Sequence, residues 1–197
     1  MAENRCEMEK VYFVEKIFDK INFAETFFET GEYENCTFSD CDFSNINFSG
    51  SVFIDCEFLQ CNLSLVKLQE TAFRDVQFKN CKLLGLHFEN CNKFGLAFSF
   101  DGCLLNHSLF YQLKLKKTIF RNSSLQEADF TETDLTNAIF DNCNLNGAVF
   151  DHAILEKADF KTAVNYSIDP ELNRIKKAKF SRAGISGLLN KYDIVID

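Results

Sequence analysis

The sequence has a single proline and only eight glycines in 197 residues, and no Pro-, Gly- or Ser-rich stretch divides it. With 46% apolar residues it is long enough for one domain, residues 1–197, around a continuous core. Long hydrophobic runs are missing too. The start, MAENRCEMEKVYF, carries charges where a signal peptide needs an apolar run, and no stretch approaches the length of a membrane span. A cytoplasmic protein without a membrane partner is expected. Histidine is scarce: His87, His107 and His152 do not sit at ligand spacing from any cysteine pair, and no C-x-x-C occurs. No metal or other cofactor is therefore expected. There is no Gly-rich phosphate loop and no nucleophile with a base at motif spacing, so the sequence does not read as an enzyme.

What is present is a rhythm. From Ser123 to Phe160 every fifth residue is large and apolar: Leu125, Phe130, Leu135, Phe140, Leu145, Phe150, Leu155 and Phe160. Two places before each lies a small residue: Ser123, Ala128, Thr133, Ala138, Cys143, Ala148, Ala153 and Ala158. A period of five fits neither regular element. On a helix the large side chains would drift around the axis, and on a strand an odd step would flip them between faces. The backbone must change direction once per repeat, so that small and large residues both point into one interior. A fixed short period of this kind marks a solenoid.

An earlier register runs from Met8 and Phe13 through Phe18, Phe23 and Phe28 to Phe88, with Phe98 in phase. From Leu105 the phase is two residues later. Of 23 Phe, 20 fall on large positions, which chance does not produce. The nine cysteines occupy the small slot, interchangeable with Ala, Ser and Thr, and read as small core hydrophobes. Their odd number favours a reducing compartment.

The motif of small residue, polar residue, then Leu or Phe appears in Ala128-Asp129-Phe130, Cys41-Asp42-Phe43 and Cys143-Asn144-Leu145. It resembles that of the pentapeptide repeat proteins over about four fifths of the chain. The resemblance implies an all-β fold, a right-handed quadrilateral β-helix with four repeats per coil. Residues 20 apart then stack. Phe18, Phe38, Phe58, Phe78 and Phe98 form one expected column, and Phe120, Phe140 and Phe160 another, with rings ~4.8 Å apart. Coils are expected over about 6–163, some seven to eight in all.

Two interruptions stand out. At about 89–104 Lys93 falls where a large apolar residue belongs and Phe94 and Phe98 compete for the interior, which reads as a bulge. Between 164 and 177, Asp169-Pro170 suits a helix N-cap and first position, so a loop or short helix is expected there. Leu188, Leu189 and Tyr192 follow at helical spacing, then Ile194 and Ile196, making 178–197 a helical cap for the open end or a dimer contact.

The ending, Ile168 to Ile175 and then the Leu-Leu and Ile-Val-Ile, resembles that of the microcin B17 and albicidin immunity proteins and, more distantly, the Qnr quinolone-resistance proteins. That resemblance implies a homodimer through Leu188, Leu189, Tyr192, Ile194 and Ile196, and a DNA mimic that binds DNA gyrase or topoisomerase IV rather than nucleic acid itself. One departure is that no long loop interrupts the first two thirds. The charge is banded. Residues 21–66 hold eight acids and residues 122–156 seven, with no Lys or Arg in either, while 67–121 carry nine bases against four acids. Glu127, Asp129, Glu132, Asp134, Asp141 and Asp151 are the candidate partner-binding acids. The alternative is a protein interaction scaffold with no topoisomerase role.

Overall fold

The computed structural model describes residues 11–195. Thirteen short strands, from Val11–Val14 to Lys179–Phe180, are all parallel where they pair. They form one nine-stranded and one four-stranded sheet, and single-residue parallel bridges complete the other sides. The register is 20 residues per coil, as in Phe38 opposite Phe58 and Ile119 opposite Ile139. The chain is thus the expected four-sided β-helix. We number its sides from Phe18, so that Phe18, Phe23, Phe28 and Tyr33 stand on the first to fourth sides, with Phe13 beneath Tyr33 on the fourth.

Each corner has a local cause. The second residue after the large one takes a left-handed backbone, as at Asp40 (φ 51°), Gln60 (φ 55°), Glu127 (φ 55°) and Lys157 (φ 59°). Such a residue turns the chain by about a right angle without a glycine, and Asn, Asp and other polar residues dominate there because they tolerate this region best. The N–H of the next small residue often closes the turn, as from Ala128 to the Leu125 carbonyl at 3.2 Å. Glycine is required for another reason at Gly31, where a Cβ would lie 2.6 Å from the Val11 carbonyl oxygen.

The interior is stacked aromatic rings. On the first side Phe18, Phe38, Phe58, Phe78, Phe100, Phe120, Phe140, Phe160 and Phe180 form one column with centroids 4.7 to 5.4 Å apart. This corrects the sequence expectation on one point. The ring above Phe78 belongs to Phe100, not Phe98, and so the two columns expected on this side are one. Phe98 is buried opposite Val76, in the small slot. The cause is the location of the two extra residues. Glu70 bonds to Asn90, 20 residues on, but Val76 pairs with Phe98, 22 on, so the slip lies before Phe98. Phe94 is expelled and 80% exposed, while Leu96 packs on the core.

Small slots carry a second device. Thr133 Oγ1 donates to the Phe110 carbonyl at 2.8 Å, Thr71 Oγ1 to Phe48 at 2.9 Å and Cys61 Sγ to Phe38 at 3.3 Å, each 23 residues back. Ser108 and Cys103 do the same at 25 residues, across the bulge. A thiol or hydroxyl in this slot can add a bond to a buried carbonyl, though the buried Ser51 hydroxyl makes none among the described residues. The cysteines among the described residues are free and buried, and burial pushes the Cys56 and Cys143 thiols up to about 12. Cys6 and Met8 lie outside the described residues.

No helix leaves the coil at Asp169-Pro170. Asp169 does cap, its carboxylate accepting the Glu171 N–H at 2.8 Å, but the result is a single turn before Arg174 rejoins the ladder beside Ile154. Beyond Phe180 the expected helical cap is two 3₁₀ turns, Ile185–Leu188 and Asn190–Tyr192. Gly187 seats them. A Cβ there would strike the Tyr166 carbonyl, and its own carbonyl accepts the Ile168 N–H at 2.9 Å. No helix among the described residues is long and apolar enough to cross a membrane.

Candidate partner-binding surface

In a four-sided coil the residue before each large one points outward from the middle of a side, and the two after it form the corner. Asp129 therefore stands on the third side, in line with Leu109 and Val149. Asp134 stands on the fourth side, between Lys114 and Ile154. Glu132 and Asp151 occupy the corner between those two sides, Glu127 the corner between the second and third, and Asp141 the corner after the first. The six acids expected as one band thus wrap the rod, and their neighbours in adjoining coils separate them.

Two are neutralised. Arg121, one coil back, reaches Asp141 at 3.3 Å, and Thr162 donates to the same carboxylate at 3.0 Å. Lys116 lies 3.2 Å from Asp134. Partial burial works against ionisation of Asp134, yet the Thr136 hydroxyl and N–H together with Lys116 hold its carboxyl below the usual range.

Among the described residues the other four have no Lys or Arg partner. Asp129 accepts the Thr131 N–H at 2.8 Å, leaving its second oxygen open. Glu132 accepts from the Gln112 amide at 2.8 Å and the Tyr111 hydroxyl at 3.4 Å, both neutral. Glu127 and Asp151 face only histidines, His107 at 3.3 Å and His152 at 2.9 Å. Standing negative charge therefore gathers on the third side and its two corners. The signal for this was in the sequence, since a base 20 residues away is a neighbour, as Arg121 is to Asp141.

At the C-terminal end the segment is clamped. Lys191 Nζ lies 2.8 Å from Asp169 and 2.6 Å from Glu171, and the Tyr192 hydroxyl donates to Glu171 at 3.0 Å. These bonds from Lys191 hold the Asp169 and Glu171 carboxyls below their usual range and raise the ammonium. Leu188 packs on the core and Leu189 is half-buried, whereas Ile185, Tyr192, Ile194 and Val195 are exposed. Leu188 thus also holds the segment on the coil. Ile196 lies outside the described residues. Among the described residues no three His, Cys, Asp or Glu side chains gather as metal ligands.

Two family models match the chain. One, described as a pentapeptide repeat region, covers residues 31–99, and another, described as pentapeptide repeats in eight copies, covers 99–142 and 128–164. Among solved structures, a trypsin-treated form of QnrB1, a plasmid-mediated fluoroquinolone resistance protein, is 19% identical with a TM-score of 0.48, over 95% of this chain and 98% of that one. HetL, a pentapeptide repeat protein involved in heterocyst differentiation regulation from the cyanobacterium Nostoc, is 13% identical with a TM-score of 0.45, over 87% and 86%. No curated protein matches the chain by sequence.

Proposed function

Because the chain belongs to the pentapeptide repeat proteins, we propose that it is a binding rod that presents duplex-like charge to a type II topoisomerase, DNA gyrase or topoisomerase IV, and protects it from a poison or modulates it. The observation that carries this reading is the gathering of Glu127, Asp129, Glu132 and Asp151, without Lys or Arg partners among the described residues, on the third side of a stiff rod and its two corners. The same charges repel nucleic acid. Two copies joined through Leu189, Tyr192 and Ile194 would carry this side continuously across a two-fold axis.

Gyrase supercoiling with and without a poison, across a salt series, is the test. The protein is expected to inhibit or protect, and to weaken as salt rises, because screening acts on exposed charges. Asp129→Lys with Glu132→Lys removes the effect while leaving the coil folded, since neither side chain enters the core. An unaffected gyrase at every salt concentration refutes the reading. A second reading, a protein scaffold without a topoisomerase role, is favoured by the neutralisation of Asp134 and Asp141, which breaks the acidic band on the other sides. Dimerisation is checked by sedimentation of Ile194→Asp, an exposed position, which should be monomeric.

A further inference from the structure

The bulge at 92–97 creates a second charged feature, opposite in sign, at the corner between the fourth and first sides. A groove of about 350 Å³ runs beneath it, lined by Leu96 and Ser99 of the bulge coil, Asp75 of the coil before and Lys114, Lys116 and Lys117 of the coil after. Lys116 is committed to Asp134, but Lys114 and Lys117 have no carboxylate within ion-pair distance among the described residues. Arg74, next in the chain to Asp75, lies against the bulge at Gly95. Its guanidinium sits 5.9 Å over the Phe94 ring, and its Nε is buried with no hydrogen-bond partner. Phe94 is 80% exposed, held out from the rod by a bulge that the Asn92 side chain closes with a bond from the Phe94 N–H at 3.0 Å.

A buried donor without an acceptor is costly in a folded chain, and an aromatic ring held in water against the Arg74 guanidinium has no role in the coil. We propose that this groove docks a short acidic segment of a partner protein. Lys114 and Lys117 receive its carboxylates, the Arg74 guanidinium adds positive charge beside them, and the open face of Phe94 takes an apolar side chain of the segment. The length of the patch selects a short peptide over a nucleic acid. Glu34 lies two coils away in the same column as Arg74, and Asp134 is the direct neighbour of Lys114 on the other flank. A polyanion longer than the groove, laid along the rod, meets the Glu34 carboxylate at one end and, at the other, a lysine already held by Asp134.

The probe is a fluorescein-labelled Glu-rich octapeptide with a central Leu, compared by anisotropy with its Gln counterpart and with a labelled DNA duplex, at about 50 mM salt. The acidic peptide should bind and the other two should not. Lys114→Glu with Lys117→Glu should weaken binding at least about tenfold, and Phe94→Ala about threefold. Lys67→Glu with Lys82→Glu makes the same change in net charge on the third and second sides and should alter binding by less than about twofold. All four lysines are exposed, and near-ultraviolet circular dichroism confirms that the variants fold. Absence of peptide binding, equal loss in the two double variants, or duplex binding as tight as the peptide overturns the proposal. No topoisomerase is present, so the outcome is independent of the reading above.

Discussion

Phe120 stands mid-column on the first side, fully buried, with Phe100 at 5.3 Å on one face and Phe140 at 4.9 Å on the other. Truncation to Ala removes a buried aromatic, about 3–5 kcal/mol in a core that relaxes little, and both stacked neighbours lose a partner each worth roughly 0.5–1.5 kcal/mol beyond burial. Phe180, at the end of the column, is only partly buried, with Phe160 stacked on one face at 5.4 Å and Tyr166 tilted against it at 5.6 Å. Because each coil touches only its neighbours, a rod of this kind sums local terms. Phe120→Ala should therefore cost about 2 kcal/mol more than Phe180→Ala, half of a typical full truncation. Phe120→Leu, which copies the residue used on the second and fourth sides, should fall between wild type and Phe120→Ala. The assay is equilibrium urea unfolding followed by near-ultraviolet circular dichroism, comparing midpoints at constant m. If Phe120→Ala costs no more than Phe180→Ala, the stacked column is not what holds the rod together.

Three further outcomes follow from particular contacts. Lys157, left-handed and without an ion-pair partner among the described residues, should tolerate Gly with an unchanged or raised Tm. Lys157→Val should lower Tm, by about 1–2 kcal/mol of stability, because a β-branched residue resists that region. The clamp of Lys191 on Asp169 and Glu171 should survive at neutral pH and open at both extremes. The carboxyls are depressed when folded, so their contribution is present above the unfolded value near pH 4 and lost as pH falls through the folded ones. The ammonium is raised, so its contribution is lost only as pH climbs beyond about 10. Hydrogen exchange of the Asp193 amide, which donates to Asn190 beside the clamp, should quicken, after correction for intrinsic rates, between pH 5 and 3. Gly187→Val should detach the C-terminal lid from Tyr166 while leaving mid-coil protection unchanged, as read by the same exchange experiment.

The sequence made the coil legible because one physical demand repeats in every pentapeptide. A large residue must fill the interior, a small one must fit beside it, and both signals survive wherever a Phe, a Leu or an Ala occurs. It misled at Phe98 because a spacing of 20 from Phe78 is met there, while the slip that favours Phe100 happens a few residues earlier in a bulge with no interior signature. Phe100 was nevertheless in phase with Leu105 and the register after it. Asp169-Pro170 reads as a helix start on local chemistry alone. The ladder partner that Ile154 requires at Arg174 leaves room for only one turn. The acids were visible as a band along the chain, but their effective charge depends on which bases lie one coil away, and winding rather than sequence order decides that.

The coil-to-coil ladder also makes the molecule a measuring stick with a fixed graduation. Removing or duplicating 20 residues between the bulge and the lid would return every side chain to its own face and change only the reach of the rod, by about one strand spacing. Two contact points on it can thus be moved apart in discrete steps without altering either. A two-residue insertion, by contrast, is absorbed locally as a protrusion, as Phe94 shows.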